Sequence, residues 1–216
     1  MLRKKLNLYY EDQLRREWRR EGHVGVVQGT TVLVIGLGDI GRTFAQKMKA
    51  LGCYTIGIRR RVSEKTVSED TAVDEIYGMD ELDGLLPRAD VVALSLPGNA
   101  STYHVLNRER IALLSSNALV LNVGRGTAVD TDALSDALYA GKIAGAALDV
   151  TDPEPLPADH PLWSAPGALI TPHISGGYSL PETLARICDI FAENLERFRK
   201  GEPLRNVVDM GTGYCL

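Results

Sequence analysis

The feature that most constrains the fold is the run "TTVLVIGLGDIG", residues 30–41. Two threonines and four apolar residues, five of the six β-branched, lead directly into G-x-G-x-x-G. An apolar run of that length suits a strand buried on both faces. The glycine pattern is weak alone, but here it follows a strand and opens a helix, the context its chemistry requires. Gly36 permits a tight turn, Gly38 lets backbone approach a pyrophosphate, and Gly41 lets helix pack on strand. Asp39 and Ile40 open that helix, whose unpaired N–H groups and positive dipole end suit phosphates.

From this point strands and helices alternate. Strands are expected at 31–36, 54–58, 90–95, 118–123, 144–149 and 168–171. Helices are expected near 40–51, 79–86, 108–114, 130–140 and 180–200. Asp130 suits the start of one helix and Gly141 its end. Repeated βα units with buried strands imply an α/β fold: a doubly wound parallel sheet flanked by helices. A further helix is expected over 5–21, where Leu6, Tyr9, Tyr10, Leu14 and Trp18 recur at spacings of three and four. Five of the ten prolines fall in 150–167, which reads as a structured loop.

The second strand ends in Arg59, Arg60 and Arg61. A carboxylate about 20 residues beyond the glycines would suit the ribose 2′-hydroxyl of NAD. Arginines stand there instead, and forked guanidinium groups suit a 2′-phosphate. Arg59 and Arg60 are the expected contacts. The cofactor reading is therefore NADP, with NADPH preferred over NADH and NAD possible.

Composition excludes several classes. The net charge of −4 offers no bulk attraction for nucleic acid. No apolar run approaches the roughly 20 residues that cross a bilayer. Three separated cysteines suit reduced thiols and neither a disulfide framework nor a metal site. The charged N-terminus lacks a signal-peptide core. A cytoplasmic location is expected.

The blocks "VLVIGLGDIGRTFAQKMKALG", "ADVVALSLPGNASTYHVLN", "ALVLNVGRGTAVDTDAL", "GAALDVTDPEPLPADHPLW" and "LITPHISGG" together resemble the D-isomer-specific 2-hydroxyacid dehydrogenases. The resemblance spans nearly the whole chain, and the arginine-ended strand looks like the glyoxylate and hydroxypyruvate reductase branch. It implies a Rossmann-type NAD(P)-binding domain and a hydride transfer between NADP(H) and a small 2-hydroxy or 2-keto acid. It places the catalytic set on Arg125, Glu154 and His173. Each could be an ordinary loop residue; all three follow predicted strands, where ligands of open α/β sheets bind. A histidine can deliver a proton near neutrality, a carboxylate orients its ring, and an arginine holds a carboxylate or polarised carbonyl. Leu96, Pro97, Asn99, Val123, Asp149 and Gly176, with His173, are implied neighbours of the cofactor. His104 looks structural, and Trp163 looks like a packing or interface anchor.

The resemblance also implies three segments. Residues 1–22 form an interdomain or dimer helix, 23–178 the dinucleotide-binding domain, and 179–216 a C-terminal helix and return segment packing on that domain. Most of a substrate domain, which the family carries ahead of the glycine turn, is absent from this chain. A homodimer is expected, with no membrane or nucleic-acid partner. Two other readings stand beside the reductase. One is a dinucleotide-binding sensor or scaffold without efficient turnover. The other is a formate or phosphite dehydrogenase; Glu154 opposes the formate branch, which pairs its histidine with glutamine.

Overall fold

The computed structural model describes residues 1–20, 22–60, 62, 71–177 and 180–211 of the 216. Seven strands form one sheet: β1 (Thr31–Ile35), β2 (Tyr54–Arg59), β3 (Glu75–Gly78), β4 (Val91–Leu94), β5 (Leu119–Asn122), β6 (Gly145–Leu148) and β7 (Ala168–Ile170). Their order is β3-β2-β1-β4-β5-β6-β7, and every pairing is parallel. Leu33 sits between Ile56 and Val92 in the register. The winding reverses between β1 and β4, so a crevice opens beyond their carboxyl ends.

Both sheet faces are covered, which is why the strands are apolar without alternation. Leu33 and Ile35 of β1 face one core with Ile56, Ile58, Val92 and Leu94. Helices α3 (Leu82–Leu85), α4 (Arg108–Ala112) and α5 (Thr131–Tyr139) pack there through Leu82, Ile111, Leu134 and Leu138. Val32 and Val34 face the opposite core with Ala45 and Met48 of α2 (Asp39–Ala50). Leu2 also packs on this second core, and Arg3 pairs with Asp90 at 3.7 Å. Asp90 in turn accepts from the Thr31 N–H at 2.9 Å, so the amino rim of the sheet is closed by the N-terminal turn.

Among the described residues, two α-helix starts have side-chain caps. Asp130 accepts from the Ala133 N–H at 2.9 Å, and Asn107 accepts from the Arg110 N–H at 3.0 Å. Gly141 follows α5 at φ +62°, the left-handed stop its sequence position predicts.

Two expectations need correction. The helix expected over 5–21 is α1, Leu6–Arg15. Arg16 turns left-handed at φ 59° and its N–H closes onto Asp12 and Gln13. Arg15 and Arg19 both reach the buried Asp12 carboxylate, at 2.8 and 3.3 Å, and gather the chain there. Trp18 therefore leaves the stripe and is 99% exposed. Strand β3 has no counterpart among the expected strands. It is a four-residue edge strand anchored beside Asp74, which accepts from the Thr55 N–H at 2.8 Å and meets Lys49 at 2.7 Å. Its sequence is too short to show a period.

The final helix, α6 (Pro181–Lys200), ends at Gly201. Asn194 clamps the following segment through Arg205, accepting from its N–H at 2.8 Å and donating to its carbonyl at 3.0 Å. Leu184, Ile187, Phe191, Leu195 and Phe198 lie exposed along this helix, so its apolar stripe is not buried against the sheet domain. No described helix is long and apolar enough to cross a membrane.

Candidate functional site

The glycine turn sits at the switch point. Gly36 has φ +98°, a region side chains rarely enter, and an added Cβ would meet the Ser95 carbonyl at 3.0 Å. A Cβ on Gly41 would fall 1.9 Å from the Gly36 carbonyl oxygen, so α2 packs on the turn only with glycine there. Ser95 adds a bond to the same Gly36 carbonyl at 2.7 Å. Gly38 precedes α2 with no side chain capping it, and nothing lies within 4 Å of its Cβ position. Asp39 and Ile40 follow on the exposed first turn. The turn thus offers uncapped helix N–H groups beside open space, which fits a pyrophosphate.

One strand over, the Gly36 N–H bonds the Ile58 carbonyl at 3.0 Å. That contact brings the end of β2 beside the turn. Arg59 closes β2 half-buried and Arg60 is exposed beyond it. Arg60 borders a cavity of about 560 Å³ with Val62, Tyr77, Gly78, Asp80 and Glu81. Arg61 lies outside the described residues.

The second group of residues gathers at the carboxyl ends of β5, β6 and β7. Asn122, fully buried, organises the first loop: its amide donates to the Arg125 carbonyl at 3.0 Å and its oxygen accepts from the Gly124 N–H at 3.1 Å. Arg125 is left exposed, its Nη1 donating to the Gly124 carbonyl at 2.8 Å. Asn122 stands inside the "NVGRG" block, yet only its burial marks it as the residue that shapes the loop.

Asp149 follows β6 and is 5% exposed. Its Oδ1 accepts from Thr171 Oγ1 at 2.5 Å and the Ile174 N–H at 2.9 Å; its Oδ2 accepts from the Ser175 N–H at 2.9 Å. Burial raises its pKa, but the bonds from Thr171, Ser175 and Ile174 outweigh that and hold it below the usual carboxylate range. The carboxylate therefore fixes the loop that carries His173. Its main-chain oxygen also accepts from the His173 N–H at 2.8 Å, and His173 sits at φ +54°.

His173 Nδ1 and Glu154 Oε1 are 2.7 Å apart. An ionised carboxylate only accepts, so the imidazole Nδ1–H donates and Nε2 is the outward nitrogen. The two side chains are 47% and 42% exposed. Glu154 and Arg125 border a common cavity of about 650 Å³ with Gly98, Tyr103, Thr127 and Asp152, within the size range of small-molecule sites. The structure therefore brings Arg125, Glu154 and His173 together.

The softer sequence expectations divide. Leu96 is buried beneath the glycine turn, and Pro97 accepts from Thr102 Oγ1 at 2.6 Å. The Asn99 side-chain oxygen accepts from the Ser101 N–H and hydroxyl at 3.0 and 2.7 Å, shaping its own turn. Val123 is exposed between the two halves of the rim, and Gly176 stands in open space past His173. Trp163 donates to the Pro157 carbonyl at 2.8 Å and is half-exposed, away from the hydrogen bonds of Arg125, Glu154 and His173.

A parallel sheet wound 3-2-1-4-5-6, a glycine turn at its switch point and polar side chains on one rim define a Rossmann-type dinucleotide-binding domain. The family model described as "D-isomer specific 2-hydroxyacid dehydrogenase, NAD binding domain" matches residues 1–175. The chain belongs to the D-isomer-specific 2-hydroxyacid dehydrogenase family and contains its NAD-binding domain. It is 39% identical over 197 residues to a D-3-phosphoglycerate dehydrogenase of Methanocaldococcus jannaschii, covering 91% of this chain and 36% of that protein. It is 37% identical over 176 residues to a glyoxylate reductase of Thermofilum pendens, covering 82% of this chain and 50% of that one. Among solved structures it resembles an NADPH-dependent glyoxylate/hydroxypyruvate reductase of Sinorhizobium meliloti in complex with NADP and sulfate. That likeness has a TM-score of 0.83 and 28% identity, covering 98% of this chain and 65% of that one. The chain spans about half the length, or less, of these curated relatives.

Proposed function

We propose that the protein acts as an NADP(H)-dependent 2-keto acid reductase on a small substrate of the glyoxylate or hydroxypyruvate type. The observation that carries this reading is the 2.7 Å contact between His173 Nδ1 and Glu154, with Arg125 bordering the same cavity as Glu154. Arg125 binds the substrate carboxylate and polarises the carbonyl through paired N–H donors. Glu154 accepts from the Nδ1–H and orients the ring, so the imidazolium form of His173 presents its second proton, on Nε2, to the carbonyl oxygen. The hydride to C2 is supplied by a reduced nicotinamide when one is bound. The turn at Gly36, Gly38 and Gly41 receives the pyrophosphate, and Arg59 and Arg60 receive a 2′-phosphate. The NADP complex of the Sinorhizobium relative supports that assignment.

The test is NADPH oxidation with a panel of 2-keto acids, paired with calorimetric titration of NADPH and NADH. Turnover that vanishes in His173→Asn while NADPH affinity holds is the expected result. NADPH binding without turnover on any 2-keto acid would favour the second reading, a dinucleotide-binding module acting as sensor or scaffold. The open setting of His173 and Glu154, both over two-fifths exposed, is the observation on that side. A homodimer, and the assignment of 1–22, 23–178 and 179–216 as helix, cofactor domain and return segment, belong to the same proposal.

A further inference from the structure

We infer that Tyr103 determines substrate specificity by hydrogen-bonding a hydroxyl at C3 of the bound acid, an inference that rests on the reductase reading. Tyr103 borders the cavity that Arg125 and Glu154 share. It is 57% exposed and contributes to neither core cluster, so packing does not account for an aromatic residue here. No described residue hydrogen-bonds its hydroxyl.

Its position is nevertheless fixed from both sides. On one side Thr102, 2% exposed, bonds Pro97 and Asn99 through its hydroxyl at 2.6 and 3.0 Å. On the other, the His104 N–H bonds the Thr127 carbonyl at 2.8 Å, and the Leu106 N–H bonds the Ala128 carbonyl at 2.9 Å. These bonds tie the Tyr103 turn to the segment directly following Arg125. The Tyr103 and His104 rings stack, with centroids 4.0 Å apart and planes 11° apart. The stack restrains the phenol ring without using its polar tip. A rigid ring with a free hydroxyl, on the wall of a cavity whose other groups address a carboxylate and a carbonyl, is placed to address the remaining end of a short acid. A tyrosine hydroxyl both donates and accepts, so it matches an alcohol and gains nothing from a methyl group.

The test uses the full chain loaded with NADPH, which forms unreactive complexes with 2-hydroxy acids. D-Glycerate and D-lactate differ at C3 by one hydroxyl. Calorimetric titration of each should show Tyr103→Phe weakening D-glycerate roughly 3- to 10-fold, the size of one neutral hydrogen bond, while D-lactate is unchanged. The thermal midpoint should not move, because the ring and its stack remain. The ratio of kcat/KM for hydroxypyruvate over pyruvate should fall by the same factor. Equal losses for both acids, or no loss for either, would overturn the assignment and leave the reductase reading intact. If neither acid binds to the wild-type complex with NADPH, the reductase reading fails and the role of Tyr103 fails with it.

Discussion

Asp149 directs both carboxylate oxygens at the loop that carries His173, and that loop decides where the imidazole points. Asp149→Asn turns one of those acceptors into a donor facing an N–H. The expected cost is about 1–3 kcal/mol of stability, with a lower kcat and NADPH affinity nearly unchanged. Differential scanning calorimetry and steady-state kinetics check both. The carboxylate's pKa lies below its unfolded value of about 3.9. Its contribution is then present above that value and disappears as pH falls through the lower folded one. The thermal midpoint of the wild type should drop steeply below about pH 4, and the Asp149→Asn profile should be flatter there. At Arg59 and Arg60, alanine should weaken NADPH by about 1.5–3 kcal/mol each, roughly 10- to 100-fold, and leave NADH within a factor of two or so. Equal losses for the two coenzymes in calorimetry would refute the 2′-phosphate assignment.

At the scale of elements, legibility followed the strength of local patterns. Strands β1, β2, β4, β5 and β6 announce themselves because burial on both faces leaves continuous apolar runs, and the half-buried edge strand β7 shows as a short apolar run. Asp130 and Gly141 mark the ends of α5 because capping is chemistry within one turn. Strand β3 is silent, since Glu75, Ile76, Tyr77 and Gly78 form a strand only through pairing with β2, a contact between distant residues. Helix α1 stops early for a similar reason: the buried Asp12 draws Arg15 and Arg19 around itself, which periodicity cannot register. The proposed catalytic residues Arg125, Glu154 and His173 stand out through motif blocks, whereas the loop-shaping roles of Asn122 and Asp149 depend on burial. Gly126 joins two of these loops. A Cβ there would fall 1.8 Å from the Thr151 carbonyl oxygen, backbone against backbone. Gly126→Ala should therefore separate the Arg125 and Glu154 loops, costing about 1–3 kcal/mol or more and most of the turnover. Chemical denaturation and the NADPH assay measure the two effects.

At the scale of the molecule, apolar stripes face outward on two described helices: that of α6, and Leu6, Tyr10 and Leu14 on α1. Exposed stripes of this kind mark contact surfaces. The proposed dimer forms through α1, so Tyr10→Glu with Leu14→Glu should give a monomer by light scattering at micromolar concentration. Helix content by circular dichroism should be retained. A variant that stays dimeric would move the interface elsewhere.

Because all seven strands run in one direction, the glycine turn and the loops carrying Arg125, Glu154 and His173 lie on one rim, and the other rim is closed by Leu2, Arg3 and Asp90. Gly29 and Lys142 are exposed at loops leading into strands on that closed side. A tether fixed at either position would orient the molecule on an electrode or bead with its cleft turned toward the bulk liquid. The geometry makes this fold a directional building block, with a handle at one pole and the candidate cleft at the other.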